Sequence, residues 1–168
     1  EVVAFNRLAD ENDIYVGDII IVPNGAMPAP VIQKAPTTES PSLAQAQFIA
    51  PVSSPYLITQ GGHGYYDRQF GYTAVDFSHA GYACGRQVFA SAGGIIQKTG
   101  YDRIAGNYVR ILHGNGVVTF YGHLSVIAVK NNQKVNVGDV VGYIGNTGYT
   151  IGRTGCHLHF EVRGAKNP

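Results

Sequence analysis

Asn107-Tyr108-Val109-Arg110-Ile111-Leu112-His113, the turn Gly114-Asn115-Gly116, and Val117-Val118-Thr119-Phe120-Tyr121-Gly122-His123 decide the fold. Two runs rich in β-branched and aromatic residues on either side of a Gly-Asn-Gly turn predict a β-hairpin. Upstream, Gly94-Ile95-Ile96-Gln97 predicts another strand. Downstream, short apolar runs over 140–144 and 158–162 predict two more, punctuated by Val137-Gly138-Asp139 and by a Gly/Thr-rich loop over 145–155. No stretch sustains the 3.6-residue apolar repeat of a long amphipathic helix. Composition points the same way: 22 Gly and 11 Tyr with only 14% charged residues favour short strands and tight turns. The expected fold is mainly β, an antiparallel β-sheet domain with long Gly-rich loops, which is where a site would be carried.

The charges nearly balance, 12 Lys+Arg against 11 Asp+Glu, which argues against a dedicated nucleic-acid binder. No apolar run approaches the roughly 20 residues that span a bilayer. The first residues, EVVAFNRL, lack the basic start, apolar stretch and small-residue cleavage site of a secretory signal. Export stays open, since an earlier segment can precede them. Composition divides the chain into three zones. Residues 1–23 read as a short helix, a polar turn and an apolar strand stopped by Pro23, a unit too small to fold alone. Residues 24–47, with Pro28, Pro30, Pro36 and Pro41 among Ala, Thr, Ser and Gln, read as a semi-rigid linker. Residues 48–168 have the size of one ordinary domain.

The sharpest chemical signal is Cys156-His157-Leu158-His159-Phe160-Glu161-Val162. Side chains alternate across a strand, so His157 and His159 face the same side. Such a pair needs partners from elsewhere to make a site. His123 closes its strand and so projects from the sheet edge; His63 lies in Gln60-Gly61-Gly62-His63-Gly64; Asp76 sits in Ala74-Val75-Asp76-Phe77. A carboxylate between Val and Phe in a strand is rarely left unpaired, because burying it alone costs several kcal/mol. A local cap or salt bridge would also satisfy it. Four imidazoles and a carboxylate make the ligand set zinc prefers, and a catalytic zinc uses three protein ligands and leaves one position for water. The two histidines left over are suited to move that water's proton and steady an oxyanion, a pattern that reads as amide hydrolysis. His79 and His113 are not needed for it and are expected to face solvent.

Tyr121-Gly122-His123-Leu124, Val137-Gly138-Asp139, Gly145-Asn146-Thr147-Gly148 and Gly155-Cys156-His157-Leu158-His159-Phe160-Glu161, in that order, resemble the lysostaphin-type zinc metalloendopeptidases, the LytM and LasA relatives that cut peptide cross-links in bacterial cell walls. The resemblance covers essentially all of 48–163. It implies that His159 is a zinc ligand and that His123 and His157 are catalytic. Most relatives supply the other two ligands from a compact H-x-x-x-D motif, but the residue four before Asp76 is Tyr72. The LasA branch places its first histidine about a dozen residues upstream in a Gly-rich loop, which His63 resembles, and Val75-Asp76-Phe77-Ser78 resembles that branch's L-D-F-S segment. The expected zinc ligands are therefore His63, Asp76 and His159. A competing reading takes His63 and Asp67 as the compact motif.

The stretch FNRLADENDIYVGDIIIVP also resembles the second half of a LysM module, through Asn6, the Val16-Gly17 turn and the final strand into Pro23. Cys84 and Cys156 admit one disulfide or two free thiols. The cell-wall setting implied by the resemblance favours the bridge, which would tie the two ligand-bearing segments together and add about 4 kcal/mol on the chain-entropy estimate. Zinc ligation by cysteine is its rival. The expected function is a Zn²⁺-dependent endopeptidase acting outside the cytoplasm on bacterial peptidoglycan, with a zinc-bound water as nucleophile. The alternative is an inactive relative that binds the wall or activates a partner hydrolase. Glycan capture by residues 1–23 alone is expected to fail.

Overall fold

The computed structural model describes residues 48–114 and 116–165. The readings of 1–23 as an α/β half-LysM segment and of 24–47 as a linker fall on residues outside that range. Among the described residues there are nine strands and no helix: β1 Leu57–Asp67, β2 Gly71–Ser78, β3 Gln87–Phe89, β4 Gly94–Asp102, β5 Gly106–His113, β6 Val118–Ile127, β7 Lys134–Val135, β8 Val140–Ile144 and β9 Leu158–Arg163. They form one sheet in the order β1-β2-β9-β6-β5-β4-β7, and β8 joins it by pairing with both β6 and β3. Every pairing is antiparallel, as the alternation in the sequence predicts.

The sheet sorts β9 by parity. Leu158, Phe160 and Val162 are buried in the core with Val109, Ile111 and Tyr121. His159, Glu161 and Arg163 take the opposite face, because successive strand side chains point to opposite sides. Directly across from β9 on β2, Asp76 is paired with His159 and Ala74 with Glu161. Register therefore brings a carboxylate opposite an imidazole without any long loop excursion. On the other flank, Gly122 of β6 lies opposite His159. A Cβ at Gly122 would come 3.2 Å from Phe120 Cε1 and 3.4 Å from His159 Cβ, so the glycine chiefly leaves room for the Phe120 ring beside the site.

β6 does not end at His123, as the sequence suggests, but runs on to Ile127. Its first half pairs with β9 through Val118 to Gly122 and its second half with β8 from Leu124 onward. The switch falls on His123, where β6 uses three steps (Tyr121 to Leu124) against two on β5 (Val109 to Asn107). The extra residue is a β-bulge, and His123 absorbs it in the left-handed region at φ 59°. That conformation costs a non-glycine residue roughly 1–2 kcal/mol. Its amide is satisfied by the Ala105 carbonyl at 2.6 Å.

His113 is the second correction. It is 4% exposed, against the solvent-facing position expected for a residue beside a turn. Its Nδ1 donates to the Gly93 carbonyl at 2.9 Å and its Nε2 lies 2.8 Å from the Thr119 hydroxyl, which in turn is 3.0 Å from the buried Tyr121 hydroxyl. The ring thus starts a buried polar chain that the sequence does not reveal. Burial holds its pKa below the ordinary 6.5, although the Gly93 carbonyl opposes this. The groups facing it, Gly93 O, Thr119 and the edge-on Phe48 ring, do not titrate near neutrality. The folded state therefore binds fewer protons at this site than the unfolded chain. The neutral ring's contribution is complete above pH 6.5 and erodes as the pH falls below it. Denaturant midpoints measured from pH 7.5 to 5 should fall more steeply for the native sequence than for His113→Asn; parallel slopes would exclude this role.

Candidate metal centre

Three strands each supply one donor to a single point on the polar face. His63 comes from β1, Asp76 from β2 and His159 from β9. His63 Nε2 lies 3.1 Å from Asp76 Oδ1 and 3.1 Å from His159 Nδ1, and His159 Nδ1 lies 3.1 Å from Asp76 Oδ1. Hydrogen bonds cannot satisfy this equilateral triangle well, since a proton aimed along one edge points about 60° away from the next. One cation above the triangle serves all three donors. Ligands held at roughly 2.0–2.2 Å around a tetrahedral ion stand about 3.3–3.6 Å apart, a few tenths of an ångström wider than the separation found. The two nitrogens and one carboxylate oxygen therefore fit a zinc ion in chemistry and nearly in spacing.

β1 is an irregular edge strand with register shifts on both sides of His63, which itself lies opposite Ala74. The bulging lets Gly64 tuck against the site at φ 75°. A Cβ there would meet Ala74 Cβ at 2.6 Å and Glu161 Oε1 at 3.0 Å. Gly64→Ala should cost roughly 2–4 kcal/mol from left-handed backbone and overpacking combined. It should also push β1, and with it His63, off the sheet. An unchanged denaturation midpoint would contradict that packing.

Asp67, the rival carboxylate, accepts the amides of Gln69 at 2.7 Å and Phe70 at 3.0 Å and so holds the β1–β2 turn. Tyr72 is 56% exposed and packs edge-on against Tyr66 at 5.1 Å. Neither residue belongs to the cluster of three donors.

The two remaining histidines flank the triangle. The His123 and His157 ring centroids are 4.6 Å apart, and those of His123 and His159 are 5.8 Å apart. Each has Nδ1 tied to a backbone carbonyl: His123 to Thr147 at 2.8 Å and His157 to Gly155 at 3.0 Å. A carbonyl only accepts, so each Nδ1 carries the proton and each Nε2 is left as the basic nitrogen. His157 Nε2 is 3.6 Å from Asp76 Oδ2. Thr147, within the Gly145-Asn146-Thr147-Gly148 motif, is itself pinned. Its hydroxyl donates to the Leu124 carbonyl at 2.8 Å and accepts the Asn107 amide at 2.9 Å. Gly106 allows that approach, since a Cβ there would fall 2.3 Å from the Thr147 backbone. The motif's Gly-Asn-Thr-Gly pattern marks a loop in sequence but carries no signal of Thr147's contact with His123.

Burial lowers the pKa of both His63 and His123, keeping them neutral and able to donate lone pairs. Asp76 is raised by burial, but its hydrogen bond to His159 and the neighbouring imidazoles outweigh this and hold it ionised. Burial likewise opposes charge on His159, yet bonds to Asp76 and Glu161 lift it to about 9. Two carboxylates thus draw positive charge to this ring, whether a proton or a metal ion brings it. Cys84 and Cys156 form a disulfide with Cα atoms 5.3 Å apart, so neither is a thiolate ligand.

An antiparallel sheet thus carries a His-Asp-His donor triangle with two flanking imidazoles, a candidate metal-binding centre. Residues 72–168 match Peptidase family M23, and the chain belongs to that family. The matched stretch includes Asp76, His123, His157 and His159 but not His63. Among curated relatives, the peptidoglycan DD-endopeptidase ShyA of Vibrio cholerae serotype O1 is 49% identical over 78 residues, 46% of this chain and 17% of the relative. A zinc-containing peptidase from Vibrio cholerae superposes with a TM-score of 0.56 at 32% identity, covering 67% of this chain and 35% of that one. The catalytic domain of lysostaphin from Staphylococcus simulans gives 0.51 at 30% identity, covering 61% and 77% respectively. The chain spans under a fifth of the length of the first curated relatives it matches, 17% and 19%.

Proposed function

We propose that this chain is a zinc-dependent endopeptidase that hydrolyses peptide bonds in bacterial peptidoglycan, with His63, Asp76 and His159 holding the metal and His123 and His157 as catalytic residues. The observation that carries the reading is the 3.1 Å triangle of donor atoms beside two imidazoles whose Nδ1 atoms are tied to backbone carbonyls, which leaves Nε2 as the basic nitrogen. Bound zinc would supply Lewis-acid polarisation of the scissile carbonyl and acidify an attacking water.

The protein's own groups account for the rest. His123, neutral because it is buried, can take a proton at Nε2 while the Thr147 carbonyl fixes its ring. His157 has its Nδ1 tied to the Gly155 carbonyl and its Nε2 facing Asp76 Oδ2 across 3.6 Å, so its ring is held beside the triangle. A protonated His157 can then donate to an oxyanion or to the leaving amine. Exposed tyrosines on β1 and β2, Tyr65, Tyr66 and Tyr72, lie on the strands that carry His63 and Asp76 and would offer flat apolar surface to small-residue peptides.

The substrate places the protein outside the cytoplasm, in the periplasm, cell envelope or medium, and the disulfide suits an oxidising compartment. No helix among the described residues is long and apolar enough to cross a membrane. On this reading 24–47 is a spacer that lets the catalytic domain 48–168 reach its cross-links, with 1–23 as a partial LysM-like segment. Digestion of purified sacculi should release muropeptides with new amino termini, identified by mass. The products should vanish with a chelator and return with added zinc. Intact sacculi after incubation with metal-loaded protein would favour a non-hydrolytic wall-binding relative instead.

A further inference from the structure

Glu161 is 4% exposed and sits on the polar face of β9 between His159 and Arg163, at i+2 from one and i−2 from the other. Its Oε1 is 2.9 Å from His159 Nε2, and its Oε2 accepts from Arg163 Nε at 2.6 Å. The Arg163 guanidinium lies 5.4 Å from the centroid of the Tyr65 ring and 5.1 Å from that of Phe120, so the far end of the chain of contacts is also held. Gly64 runs beside the carboxylate, close enough that a Cβ there would fall 3.0 Å from Glu161 Oε1. His63 has no such support, since among the described residues its buried Nδ1 has no hydrogen-bond partner. His159 is thus the metal-facing imidazole held from behind by a carboxylate.

We propose that Glu161 is a positioning residue for the metal: by accepting from His159 Nε2 and Arg163 Nε together, it fixes the His159 ring in the tautomer and rotation that present a bare Nδ1 to His63 and Asp76. This rests on the zinc reading above. A carboxylate is the group that can accept on both sides. An amide in its place must turn its NH₂ either toward Arg163, setting two donors face to face, or toward His159, shifting the ring proton onto Nδ1, where it blocks the metal. Carboxylates behind a ligating histidine commonly set metal affinity by roughly 10–100-fold.

The test uses the full chain carrying Glu161→Gln or Glu161→Ala, with zinc affinity read by competition against a chromogenic chelator and site geometry read from the visible spectrum of the Co²⁺-loaded protein. Glu161→Gln, which keeps the side chain's volume, should weaken zinc binding about tenfold and alter the Co²⁺ bands, with near-UV circular dichroism of the metal-free protein unchanged. Glu161→Ala should weaken it further. A folded Glu161→Gln protein that binds zinc as tightly as the native sequence and shows the native Co²⁺ spectrum overturns the proposal, as does a variant that loses only stability. Failure of the native chain to take up zinc at all sinks the underlying metal reading as well, and so is told apart from failure of the role of Glu161.

Discussion

Asp76→Ala should yield a folded sheet that neither retains zinc nor cuts cell-wall peptides, with kcat/KM lower by at least about a thousandfold, the rate equivalent of the several kcal/mol that a Lewis acid supplies. Folding should survive because the deleted carboxylate contributes no apolar packing and three imidazoles lose only a shared acceptor. The nearby Asp67→Ala gives the contrast. It removes the acceptor for the Gln69 and Phe70 amides and should loosen the β1–β2 turn while leaving the zinc content at one per chain. His79→Ala is a second control, since the His79 ring bonds the carbonyl of the adjacent Ala80 and lies outside the donor cluster. Zinc retained and hydrolysis intact in Asp76→Ala, with both lost in Asp67→Ala, would reverse the choice of carboxylate.

The second large effect separates chemistry from metal binding. His123→Ala should keep its zinc and its fold yet lose about 10²–10⁴ in kcat, the usual share of a positioned acid or base, with KM little changed. The strained φ of residue 123 bears on this. A non-glycine residue is held in the left-handed region at the point where β6 turns from β9 to β8, and the surroundings tie down its amide and its Nδ1 separately. Strain of this kind persists where it sets the aim of a side chain. Because alanine tolerates the same φ poorly too, His123→Ala should not relax the bulge. His157→Ala should fall in the same range, and losing both residues should cost little more than losing one if they act on the same proton. Equal loss of zinc and activity in His123→Ala would instead make it a ligand.

The fold was legible where period and punctuation agreed. β5 and β6 announce themselves by β-branched runs around Gly114 and Gly116, and β9 by an alternation so regular that Leu158, Phe160 and Val162 go to the core while His159, Glu161 and Arg163 face out. That same alternation places Glu161 and Arg163, two and four residues past His159, on the face of the histidines. β1 was not legible. Leu57–Asp67 holds three glycines and no apolar alternation, because an edge strand exposed along most of its length has no core to impose one. His63 therefore reads as a loop residue in sequence, although it lies opposite Ala74 within a strand. The end of β6 was misplaced because a bulge is a local exception to the period, invisible until the partner strands are known. His113 was misjudged for a related reason: proximity to a turn suggests solvent, but its ring points back into the chain of Gly93, Thr119 and Tyr121.

One metal ion held by side chains from three strands is the centre of the proposed chemistry. An anomalous-difference map collected at the zinc edge from crystals of the zinc-loaded protein tests it most directly. The predicted result is a single strong peak bonded to His63 Nε2, Asp76 Oδ1 and His159 Nδ1 at roughly 2.0–2.2 Å, with His123 and His157 near it but not bonded. A peak held by other residues, or one from which the His63 ring has swung away with no donor in its place, would contradict it.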